Sequence, residues 1–136
     1  MKAARLPSPA GKKRYWHKAF LLGLCLSFLF FLPFLIYDQG LFLYYGDFNV
    51  QQIPFYQMIH DSIRSGNLGW SHTTDLGANI VGSYSFYLLG SPFFWLSLAV
   101  PARLMPWAMV PLLCLKMAVA GGGAYPVSYT HLRAHE

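Results

Sequence analysis

Charge is what this sequence has least of. Only 11% of its 136 residues are Asp, Glu, Lys or Arg, against about a quarter in an ordinary soluble domain. With 55% apolar residues and a mean hydropathy of +0.37, that deficit argues against a water-soluble domain and for a chain that lives in a membrane. Acid is scarcer than base. Five acidic residues stand against ten basic ones, for a net charge of +5. Such an excess can mark a nucleic-acid binder. Here, however, Lys2, Arg5, Lys12, Lys13, Arg14 and Lys18 all stand just before the first long apolar run. That position suits anionic lipid headgroups and the setting of topology, so membrane lipids are the expected partner and no nucleic acid is. Cysteine is nearly absent. Cys25 and Cys114 lie in apolar stretches without metal spacing, and both are read as buried small hydrophobes, not a disulfide.

What is present is a charge asymmetry. The basic N-terminus carries no acid, whereas Asp38, Asp47, Asp61 and Asp75 crowd the stretch after the first apolar run, with Arg64 as its one base. Basic before a span and acidic after it is the mark of a cytoplasmic N-terminus. Residues 1–18 are expected to form a disordered cytoplasmic tail. Ala19 to Tyr37 is uncharged and close to the ~20 residues that cross a bilayer. It is read as an uncleaved anchor, since no small-residue cleavage site follows. Pro33 is expected to kink it.

Residues 38–83 then form an outer loop. Within it Val50, Ile53, Tyr56, Ile59 and Ile63 recur at helical steps, with Gln52, Gln57, His60, Asp61 and Arg64 mostly off the stripe. This predicts a short helix lying flat at the membrane interface, stopped by Gly66. Residues 67–83 read as an ordered loop. Tyr84 to Val100 is a second apolar span, returning inward to Arg103, and Pro106 to Tyr125 is a third, going out again. The expected fold is therefore an all-α polytopic membrane protein with three transmembrane helices and an interfacial helix in the first outer loop. Gly121-Gly122-Gly123 lacks the residues of a phosphate loop and is read as a close helix contact.

The last ten residues, VSYTHLRAHE (127–136), differ in style from all that precedes them. They look like the translation of a transposase-type sequencing adapter and are set aside as non-native. His131 and His135 are then not metal ligands. On this reading the natural chain continues past Pro126, and the sequence is an N-terminal fragment.

Several residues carry candidate chemistry. Asp47 follows Gly46 soon after the first span. Its carboxylate can bind a divalent cation or act as a general base toward a hydroxyl; the competing reading is a helix cap. Lys116 lies inside the third span, where an ionisable group is costly and is a functional candidate. It can pair with the phosphate of a lipid carrier, or snorkel to the interface. Gln51 and Asn79 can hydrogen-bond a sugar or simply satisfy loop backbone. Asp61, Asp75, His60 and His72 are expected to be solvated, with Asp61 and Arg64 in a weak surface pair. His60 and His72 with Asp47 lack metal-ligand spacing. Trp70 reads as an interfacial belt residue, with stacking on a sugar ring as the alternative.

The order and spacing of Gly46-Asp47, Gln51, Pro54-Phe55, Trp70-Ser71, Leu76-Gly77-Ala78-Asn79, Tyr87-Leu88-Leu89 and Ser91-Pro92-Phe93 resemble the N-terminal region of the YfhO family of bacterial membrane proteins. The resemblance runs from about Ala19 to Tyr125. Ala78 departs from it, standing where the family often has a second glycine. The family is polytopic and is similar to the GT-C class of membrane glycosyltransferases, which take a sugar from a polyprenyl-phosphate carrier on the outer face. The resemblance implies that Asp47 is the catalytic or metal-binding acid of the first outer loop. It also implies a bacterial plasma-membrane location, a polyprenyl-phosphate-linked sugar donor and a cell-envelope acceptor. The alternative is a non-catalytic envelope transport or assembly protein, the fragment itself being inactive.

Overall fold

A computed structural model describes residues 9–42, 46–86 and 88–134. The tail expected over residues 1–18 lies outside the described residues as far as Ser8. From Pro9 onward the chain is helical. The helix thus starts well before the uncharged span, because nothing in Lys12–Lys18 breaks it. The chain divides into two compact units, Met1–Pro33 with Leu113–Glu136, and Phe34–Leu112.

The first unit holds the larger parts of two long helices, α1 (Pro9–Tyr37) and α5 (Met105–Ala134), whose Phe34–Tyr37 and Met105–Leu112 ends belong to the second unit. They run antiparallel. Tyr15 meets Tyr125 with ring centroids 6.1 Å apart, Ala19 lies against Gly121 and Gly23 against Met117 and Ala118. Small residues allow the backbones this close. A Cβ on Gly23 would stand 3.0 Å from the Met117 carbonyl oxygen, and one on Gly121 would stand 3.2 Å from that of Ala19. Gly121 and Gly122 therefore make a helix contact, as the composition of the run suggested, and Gly123 does not. Ser27 turns its hydroxyl back to the Gly23 and Leu24 carbonyls (2.8 and 3.0 Å), so no polar group is left bare in an apolar stretch. Leu21, Leu22, Leu26, Leu29 and Phe30 remain exposed, as lipid-facing residues do. Both cysteines are free; Cys114 is buried, but Cys25 is exposed on this outer face. Gly23→Val should separate the pair at a cost of about 1–3 kcal/mol. That would lower the melting midpoint in detergent. Gly123→Val, where nothing lies within 4 Å, should be far milder.

The second unit is built around α2 (Ile53–Ser65). Its Ile53, Tyr56 and Ile59 pack with Ile80, Tyr84, Leu88, Phe94, Met105 and Met109 in one core. The stripe read from the sequence thus faces the protein's own interior, and Ile63 joins its edge. Val50 does not; it is 70% exposed. Phe48–Gln52 winds as a π-helix, whose wider turn rotates Val50 off the α-helical stripe. Gly66 ends α2 with φ +73, and Asn67 N–H closes the turn onto the Ser62 carbonyl at 2.9 Å. A two-residue ladder follows, β1 (Trp70–Ser71) against β2 (Ala78–Asn79), antiparallel, with Trp70 opposite Asn79 and Ser71 opposite Ala78. Ala78 sits in extended backbone there, a conformation that does not need glycine.

The second span expected over Tyr84–Val100 is not formed. A short helix, α3 (Ile80–Tyr84), ends where that span was expected to begin, and the described residues that follow form turns and a second short helix, α4 (Pro92–Ser97). Pro92 lacks an N–H and pushes Ser91 to extended backbone (φ −98, ψ 121), and Pro101 disfavours helix at Val100 by the same clash. Tyr84, Leu88 and Phe94 of the segment serve the core instead, while Phe86, Trp95 and Leu96 stay exposed. Among the described residues two helices, not three, are long and apolar enough to cross a membrane, Tyr15–Tyr37 and Ala102–His131. The second runs back along the first. It continues past Pro126 without a break, so the helix does not set the last ten residues apart.

Candidate functional site

Asp47 lies at the start of the π-helix, directly after Gly46, whose φ of +91 turns the chain into it. Its side chain makes no capping bond. The reason is local. A capping residue needs extended backbone to fold its oxygen onto the next free N–H groups, and Asp47 is already helical (φ −57, ψ −24). Asn79 shows the contrast. At φ −77 and ψ 117 it caps α3, its side-chain oxygen accepting from Gly82 N–H at 2.7 Å. The carboxylate of Asp47 is exposed, and Gln51, one turn on, donates to its Oδ1 at 3.2 Å.

The structure thus brings Asp47 and Gln51 together. Asn79 stands apart from them in sequence and spends its oxygen as a cap. Lys116 belongs to the helical pair, on α5, half-buried. Among the described residues no three of His, Cys, Asp and Glu gather as a metal cluster.

Other polar residues prove structural. Arg64 does not act as a surface partner for Asp61; its guanidinium donates to the Leu98 and Val100 carbonyls (3.2 and 3.1 Å), closing the end of α4. Gln57 does the same for the Ala102 carbonyl at 3.2 Å. His60 is fully buried, contrary to expectation. Its Nε2 lies 2.8 Å from the Ser97 hydroxyl, and Ser97 in turn donates to the Phe94 carbonyl at 2.5 Å. A Ser–His contact at this distance has the spacing of a nucleophile and its base. Both are buried, however, and the serine proton is committed to a carbonyl. The pair therefore holds α2 to α4. Burial lowers the His60 pKa below the usual imidazole value; nearby Arg64 lowers it further, and Asp61 opposes them. The sequence did contain a signal, since His60 falls four residues after Tyr56 and seven after Ile53, on the buried stripe.

Asp75 is likewise not merely solvated. It accepts a hydrogen bond from the Tyr84 hydroxyl, tying down a loop tip in which Asp75, Leu76 and Gly77 all have positive φ (49, 63 and 112). Burial, then the bond to Asp75 and its charge, push the Tyr84 pKa up to about 12. The unfolded chain releases that proton near pH 10, the folded chain only near 12. The contribution of this proton to stability is therefore complete below about pH 10 and is lost as pH rises from there to about 12. Ultraviolet difference titration of wild type against Tyr84→Phe should reveal one tyrosine ionising in that range.

Two apolar helices, each long enough to cross a bilayer, are what a helical membrane protein carries. More narrowly, the chain belongs to the family described as bacterial membrane protein YfhO, which it matches over residues 19–135. No curated protein and no solved structure matches it.

Proposed function

We propose that this chain is the N-terminal part of a membrane glycosyltransferase. The enzyme moves a sugar from a polyprenyl-phosphate donor to a cell-envelope acceptor at the outer face of the bacterial plasma membrane. The N-terminus is cytoplasmic, and the residues between the two long helices emerge outside, as the basic tail and acidic loop favour. The observation that supports the reading best is Asp47. Its carboxylate is not consumed as a cap, the residue is open to solvent, and Gln51 steadies one oxygen.

In this role Asp47 takes the proton of the acceptor hydroxyl as that oxygen attacks the sugar. A divalent cation also fits the residues present. Mg²⁺ is commonly held by one or two carboxylates, with water and substrate phosphate completing its shell, and Asp47 supplies such a carboxylate. When bound, the ion would neutralise charge on the leaving phosphate. Lys116 would attract the carrier phosphate, and the Gln51 and Asn79 amides would bond sugar hydroxyls. The test is Asp47→Asn in the full-length protein, with abundance and membrane insertion measured alongside transfer. Normal transfer by that variant sinks the assignment and leaves the transport or assembly reading.

A further inference from the structure

We propose that His60 and Ser97 form an acid-sensitive latch holding α2 against α4, closed while the imidazole is neutral and loosened when a proton is forced onto Nδ1. The argument starts from the proton count. Ser97 has one hydroxyl proton, and it goes to the Phe94 carbonyl at 2.5 Å. Toward His60 the serine oxygen can only accept. The imidazole therefore carries its hydrogen on Nε2, which lies 2.8 Å away, and its Nδ1 is a bare lone pair. That Nδ1 is buried and has no hydrogen-bond partner among the described residues. A proton added to the ring has only this nitrogen to go to, and there it finds no acceptor. A buried charge without one costs more than the same charge in water.

The surroundings reinforce the cost. On the same helix Arg64 repels an imidazolium and Asp61 attracts it, and Arg64 is the stronger influence. Across the junction α4, Pro92–Ser97, carries no charged residue, and Phe94 meets the ring edge to face at 5.6 Å. The 3₁₀ turn Ala102–Leu104, also packed on α2, brings Arg103, which is exposed and positive. Tyr56 and Tyr84 share the core, and both hold their protons more firmly than free tyrosine. Apart from Asp61 at the surface, these groups offer nothing that compensates a cation at Nδ1.

The sign follows. Unfolded, His60 takes a proton near pH 6.5; folded, it resists to lower pH. The stability it contributes is whole above about pH 6.5 and is lost as pH falls from there toward the folded value. This inference stands apart from the transfer reading, since its test measures only folding and ionisation.

The test uses the whole chain in lipid nanodiscs with nitrogen-15-labelled histidine. Magnetic resonance is expected to show His60 as the neutral Nε2–H form at about pH 6, where exposed histidines are largely charged. The melting midpoint should fall between about pH 7.5 and about pH 5. His60→Gln, which keeps a donor toward Ser97 but does not titrate, should remove at least half of that fall. An equal fall in wild type and His60→Gln overturns the proposal. So does a neutral Nδ1–H form, or a charged His60 in the folded chain at about pH 6. The resonance measurement on wild type decides the matter even if the variant does not fold.

Discussion

Asp47→Asn in the full-length protein is expected to reduce sugar transfer by at least about 10²–10⁴-fold, the usual worth of a positioned general base. Abundance and insertion should not change. Asparagine has the same shape, its carbonyl can still accept from Gln51, and the site is exposed, so the fold has little to lose. What disappears is the charge that takes a proton or holds a cation. Gln51→Ala should have a smaller effect, because it frees the carboxylate to rotate without removing it. Asp61→Asn serves as the control. Asp61 is also exposed and acidic, but it lies on α2 away from the π-turn, and its replacement should leave transfer near wild type. Equal losses for Asp47→Asn and Asp61→Asn would mean that the loop's overall charge matters and not a particular carboxylate.

The largest stability effect is expected at Phe94. The ring is fully buried and makes edge contacts with Tyr56 at 5.3 Å and His60 at 5.6 Å. Phe94→Ala removes the ring's burial and leaves a cavity that the two short helices cannot readily close. The expected cost is about 3–5 kcal/mol, a large part of the ~5–15 kcal/mol that holds a domain together. Phe94→Leu, closer in volume, should cost much less. Denaturant unfolding monitored by tryptophan fluorescence measures both. A Phe94→Ala midpoint within error of wild type would mean that α4 is not part of the core. It would also remove the basis for placing Ser97 against His60.

Local rules carried the reading of this chain where one short stretch decides the outcome. Gly66 ends α2 because glycine alone adopts its backbone turn at little cost. Gly121 and Gly122 pack against a helix because nothing larger fits there. The apolar stripe of α2 was visible because burial follows the helical period. Where distant segments compete, the same rules fell short. Tyr84–Val100 is apolar enough for a span, yet Pro92 and Pro101 break it. Its Tyr84, Leu88 and Phe94 find a protein core, and hydropathy does not distinguish a core from lipid. His60 is polar by type and solvated by default, and only the arrival of Ser97 and Phe94 made its burial tolerable.

The sequence by itself determined a membrane protein of the YfhO family, two of its long apolar helices, the position of α2 and the acid that follows Gly46. These depend on composition, periodicity and backbone preference, which act over a few residues. Tertiary structure alone decided that Arg64 closes α4, that Tyr84 holds Asp75 and that His60 is locked to Ser97. Each depends on which hydrogen-bonding group a neighbour supplies, and such neighbours are chosen by packing across the chain.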